Sequence, residues 1–244
     1  MRTAILLLPI ILTSAFAADR AIALPVLRTS LQVDDQTVAI AVSGSVDRIP
    51  ADQGRSAFEM NLRADLRDLQ EHITPILRAE LNRDERCGDR LAIEQAALAP
   101  AAPAGSLTTS LHYEKWVCVK AFHKDLVKRL AGGNGTVQVQ LTPRAIDGKT
   151  LRLEATLGDI QADGSIAELL RSPDFAEKLR AKLAKALDKV NLQETIPPAV
   201  RGMASIEEAN FADAGNGRLA LQVRAKVSVP AAEANALLDR LSGK

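Results

Sequence analysis

Apolar residues along this chain follow two rhythms. Leu31 and Val33, then Val38, Ile40 and Val42, alternate with polar neighbours around Asp34-Asp35. Alternation at period two puts one set of side chains on each face of a strand, so this segment reads as a β-hairpin. From Asp52 to about Arg83, Phe58, Leu62, Leu66, Leu69, Ile73, Ile76, Leu77 and Leu81 recur mostly three or four positions apart. That spacing predicts one long amphipathic helix with a single apolar stripe. Arg63, Arg67, Gln70, Thr74 and Arg78 take another face, and Pro75 removes a helical hydrogen bond and kinks it. A second hairpin runs from Leu91 to Leu98 and from Leu107 to Phe122. A short helix, His123 to Leu130, then ends in Gly132-Gly133-Asn134-Gly135, read as a break in the chain.

The same order then returns. Val137, Val139 and Leu141 alternate, Asp147-Gly148 turns, and Leu151, Leu153, Ala155 and Leu157 run back. Ser165 and Glu168 have capping-box spacing, and Ser172-Pro173 offers an N-cap followed by proline at the first helical position. Phe175, Leu179, Leu183, Leu187 and Val190 form a helical stripe that stops at Pro197-Pro198. A last hairpin, Met203 to Phe211 and Leu219 to Val229, precedes a terminal helix from Ala231 to Leu241. Residues match as well: Ile93–Ala99 with Ile206–Ala212, and Leu126–Leu130 with Leu237–Leu241. The pattern predicts an α+β protein with a tandem ββαββα duplication, its units at 18–133 and 134–244 forming one continuous body. Each strand has one apolar face, so each sheet is expected to be covered on one side.

This hairpin, striped helix and hairpin order resembles the tubular lipid-binding (TULIP-like) superfamily, over nearly the whole chain and in architecture alone. The resemblance implies long curved antiparallel sheets wrapping two long amphipathic helices, with a concave apolar face that holds lipid. On that model the lining comes from Leu62, Leu66, Leu69, Ile73, Leu179, Leu183 and Leu187 of the helices. Leu151, Leu153, Leu221 and Val223 of the strands face them. Every one of these residues is equally a core residue by composition.

The start of the chain adds a compartment. Met1-Arg2, an apolar run from Ala4 to Leu12 and Ala15-Phe16-Ala17 have the layout of a secretory signal peptide over 1–17. The run is too short to span a bilayer stably, and the rival reading is an uncleaved anchor. The expected location is periplasmic or secreted. In an oxidising compartment Cys87 and Cys118, the two cysteines, are expected to form one structural disulfide. A redox site would use Cys-x-x-Cys spacing, which is absent.

Composition narrows the function. The 244 residues are 47% hydrophobic and 3% aromatic, with 31 basic and 30 acidic residues. Loss of Arg2 with the signal leaves the remainder formally neutral. Neutrality and few aromatics argue against nucleic acid, and against anionic membranes as the main target. His72, His112 and His123 show no ligand spacing, so no metal or other cofactor is expected. There is no Gly-x-Ser-x-Gly elbow or phosphate loop, and Asp34-Asp35, Asp84-Glu85 and Glu207-Glu208 read as solvated charges, so no enzyme is expected. Trp116 and Tyr113 stand close together beside Cys118; Trp116 either packs over the disulfide or the first helix, or forms the rim of a pocket. The leading expectation is an exported, non-catalytic carrier of a hydrophobic, lipid-like ligand, without stable membrane insertion. The alternative is a structural or adaptor protein of the bacterial envelope, with a filled core and an envelope protein partner.

Overall fold

Period-two alternation governs far more of this molecule than its helical stripes do. The computed structural model describes residues 21–33, 35–51, 54–82, 84, 87–121, 124–163, 166–188 and 196–242; the side chains at 121, 124, 125, 180, 183–188 and 242 are not among those described. The signal peptide expected over 1–17 lies outside these residues. Among them are nine strands and few helices: β1 (Ile22–Val33), β2 (Gln36–Ile49), β3 (Arg55–Asp65), α1 (Arg67–Leu81), β4 (Gly88–Ala101) and β5 (Ala104–Ala121). There follow β6 (Lys124–Ile146), β7 (Thr150–Ala162), α2 (Ala167–Leu170), α3 (Pro173–Asp188), β8 (Ala204–Asp213), β9 (Leu219–Pro230) and α4 (Ala234–Ser242). The class is α+β, mostly antiparallel sheet.

Two sheets carry the strands. One has the order β1-β2-β3-β9-β8, the other β4-β5-β6-β7, and every pairing is antiparallel. In the first sheet Phe58, Met60, Leu62 and Ala64 stand opposite Val227, Ala225, Val223 and Leu221. All eight are buried. They join the apolar faces of the other strands, α1, α2 and α4 in one continuous core.

The helix expected from 52 to 83 is therefore two elements, β3 and then α1. Phe58, Leu62 and Leu66 are four apart, and four is a near-multiple of both the strand and the helix repeat. Met60 and Ala64 decide the matter: in a helix they would face away from the stripe, whereas both are buried beside Leu62. The expected helix at His123–Leu130 is likewise strand over its described part, inside β6. The order is thus three strands, α1, four strands, α2 and α3, two strands and α4, not ββαββα twice. α1 has 15 residues and α3 has 16, about half the length expected for the first helix. Of the matched segments, Ile93–Ala99 and Ile206–Ala212 are both strands, each bulged at the corresponding glutamate, Glu94 or Glu207. Leu126–Leu130 and Leu237–Leu241 differ, the first in β6 and the second in α4.

The glycine cluster sits within β6, not between units. A Cβ on Gly133 would come 3.1 Å from Ile166 Cγ1, and one on Gly135 would come 2.8 Å from Leu170 Cδ1. These glycines flatten the strand so that Ile166 and Leu170 of the α2 turn pack directly on its backbone. Both packed residues are fully buried.

Polar residues of α1 have a structural task too. β4 is an edge strand, and its free backbone groups need partners. Gln70 Nε2 donates to Leu98 O at 2.8 Å, and Thr74 Oγ1 bonds both Ala96 N and Ala96 O at 3.0 Å. Arg78 Nε donates to Ile93 O at 2.9 Å, and Asn82 Oδ1 accepts from Ile93 N at 2.7 Å. Spaced four apart, the four side chains stand in for a missing neighbouring strand.

Candidate functional site

The apolar face of the four-stranded sheet is covered unevenly, and the gap lies beneath α3. On β4 the alternation Asp89, Leu91, Ile93 points inward, and Asp89 and Lys115 are paired across to β5. Leu91 stands opposite Tyr113, and both are buried. From α3, Phe175 meets Tyr113 edge to face with ring centroids 5.6 Å apart, and Leu179 is buried one turn further on. Between strand and helix a groove of about 340 Å³ remains, lined by Leu91, Tyr113, Phe175, Leu179 and Ala181, with Asp89, Lys178 and Lys182 at its polar end.

At the polar end one carboxylate gathers several donors. Tyr113 Oη donates to Asp89 Oδ1 at 2.7 Å, Lys115 Nζ donates to the same oxygen, and Lys178 Nζ lies 3.8 Å from Oδ2. Burial opposes ionisation of Asp89, but the hydrogen bonds from Lys115 and Tyr113 and the charges of Lys115 and Lys178 outweigh it, holding the carboxyl below its ordinary value. Burial, the bond to Asp89 and its negative charge push the Tyr113 phenol far above its ordinary value, so it stays a neutral donor. The arrangement offers an apolar trough ending at two lysines, suited to an apolar body with a negative head.

Other grooves among the described residues are more polar or smaller. One of about 400 Å³ runs over the outer face of the five-stranded sheet past Asn61, Arg63, Asn210, Gln222 and Arg224. Arg224 is tied there to Glu208 at 2.8 Å and Glu207 at 3.8 Å. An apolar cleft of about 190 Å³ lies between β1 and α4, against Leu24, Leu27, Val42 and Leu241. A third, of about 370 Å³, holds His112, Glu114, Asp84 and Arg90. His112 Nδ1 is 2.6 Å from Asn134 Oδ1, and Nε2 is 3.5 Å from Glu114 Oε1.

The residues expected to line a lipid cavity divide sharply. Leu62, Leu66, Ile73, Leu151, Leu221 and Val223 are buried in the common core, and Leu69 and Leu153 pack against it half-buried. Leu62 and Val223 also border the polar groove on the outer face. Among the described side chains of the set, Leu179 alone lines the apolar groove. The side chains of Leu183 and Leu187 lie outside those described. Trp116 is half-buried, with the Arg90 guanidinium stacked 4.4 Å above its ring and its Nε1 donating to Glu114 at 2.8 Å. It pairs with Gly88 beside the Cys87–Cys118 disulfide, whose Cα atoms are 5.6 Å apart. Asp89, Leu91, Lys178 and Lys182 were not foreseen as site residues. Their signals were present: a carboxylate in the inward register of β4, and lysines at three and seven positions after Phe175 on the same helical side.

Comparison with known proteins gives little. No protein-family model matches the chain, and no curated protein matches its sequence. A solved structure of a lipopolysaccharide binding protein is similar over 80% of this chain at 10% identity and a TM-score of 0.38. The chain spans about half of that protein, 55% of its length.

Proposed function

We propose that this chain is a non-catalytic binding protein for an amphipathic, lipid-like ligand, held in the groove beneath α3 with its apolar part against Leu91, Phe175 and Leu179. The observation behind this reading is the groove's chemistry: an almost wholly apolar trough of about 340 Å³ with two lysines at one end. That volume lies near the small end of the range of about 300–1,000 Å³ that ligand sites occupy, which favours a single-chain guest. The anionic head would lie at the polar end, beside the positive charges of Lys178 and Lys182. Export through the signal segment would place this activity outside the cytoplasm.

Native purification, extraction with organic solvent and mass spectrometry test the reading. The expected result is a co-purified single-chain amphiphile that is lost from an Ala181→Trp variant, in which the new ring fills the groove. No extractable amphiphile, together with no uptake of a fatty-acid probe, would overturn it. A second reading, an envelope adaptor with a filled core, is favoured by a different observation: six of the expected lining residues are buried against one another. It predicts a co-purifying protein and indifference to Ala181→Trp.

A further inference from the structure

Beyond Trp116 and Arg129, the β5–β6 hairpin leaves the sheet. Pairing of β4 with β5 ends at Gly88 and Trp116, and pairing of β7 with β6 ends at Ala162 and Gly135. From there β5 and β6 pair with each other as far as Ala121 and Lys124. Five residue steps project about 16 Å at about 3.3 Å per residue. A free two-stranded ribbon is marginal by itself. This one is pinned at its base by the Cys87–Cys118 disulfide, by Arg90 stacked on Trp116, and by Arg129 3.1 Å from Glu114.

What the pinned ribbon displays is unusual for this chain. Val119 and Leu126 are cross-strand partners on one face, 56% and 58% exposed, and Leu130, at the bulge, is 58% exposed. Lys128, opposite Val117, shares their face. Between Trp116 and Leu130 the sequence has four cations, Lys120, Lys124, Lys128 and Arg129, against one acid, Asp125, a local charge of +3 in a chain of net charge +1. Apolar side chains among cations disfavour a second copy of the same tip, which would bring like charges together. They suit a surface that takes apolar groups and carries negative charge. We propose that this hairpin docks the protein reversibly on anionic lipid bilayers, Val119, Leu126 and Leu130 entering the interface while the lysines engage lipid phosphates. The site is separate from the α3 groove and does not depend on it.

Sedimentation of the full chain with lipid vesicles tests the proposal. Vesicles of phosphatidylcholine with phosphatidylglycerol are expected to carry the protein down and pure phosphatidylcholine vesicles to leave it in solution, with binding lost at high salt. Lys128→Gln, on the face of Val119 and Leu126, should weaken partition about fivefold. Val119→Ser with Leu126→Ser should weaken it at low salt, both variants keeping the wild-type melting temperature. No binding to anionic vesicles, equal binding to both kinds, or wild-type partition by either variant would overturn it. So would self-association abolished by Val119→Ser with Leu126→Ser in a protein that ignores vesicles.

Discussion

The β3–β9 seam and the β7 side of the other sheet carry the same alternating pattern and end in different states. Along β9, Leu219, Leu221, Val223, Ala225, Val227 and Val229 are all buried. Along β7 only Leu151 is buried, while Leu153, Ala155, Leu157 and Ile160 are half-covered against the core's margin. The seam lies inside its sheet with strands on both sides, whereas β7 is an edge strand covered by the short helices α2 and α3. Alternation states which face is apolar; the number and length of the elements laid on that face decide whether it closes. Incomplete cover by α3 leaves the groove at Leu91 and Tyr113.

The sharpest way to break this contrast is to cut into the seam. Phe58→Ala, at a site 1% exposed, should cost about 3–5 kcal/mol, read as a large fall in denaturation midpoint. A cost below about 1 kcal/mol would mean that Phe58 is on a free helical face after all. Gly135→Val drives a side chain into Leu170 and the Gln161 carbonyl and should cost about 1–3 kcal/mol.

At the groove, Asp89 makes a pH-dependent contribution. Its folded value lies below the ordinary carboxylate value, so its stabilisation is present above that value and lost as pH falls through the folded one. Asp89→Asn should therefore cost about 1 kcal/mol near neutrality, allowing for solvent screening, and nothing at strongly acid pH. Urea midpoints at both pH values check this. Leu157→Ala on the half-covered strand should cost the least, about 1 kcal/mol or below. A loss equal to that of Phe58→Ala would erase the distinction between the two sides.

Much of this was legible in the residues. Leu31 to Val42 gave the first hairpin, Met203 to Val229 the last, and the presence of two cysteines pointed to their bond. The apolar positions were identified almost throughout; their element type was harder. Phe58, Leu62 and Leu66 satisfy strand and helix alike, and only the intervening Met60 and Ala64 separate the two. Gly132-Gly133-Asn134-Gly135 reads as a break because local sequence cannot show Ile166 and Leu170 packing on Gly133 and Gly135. The pairing of β3 with β9 was beyond reach, since Phe58 and Val227 are joined by tertiary contact alone. The site suffered for the same reason: which apolar residues stay uncovered depends on where α3 comes to rest.

Methyl NMR of the full chain titrated with a single-chain fatty acid tests the central claim most directly. The account predicts saturable shifts at Leu91 and Leu179, with the seam residues Leu221, Val223 and Val227 unmoved. Silence at Leu91 and Leu179, or shifts centred on the seam, would contradict it.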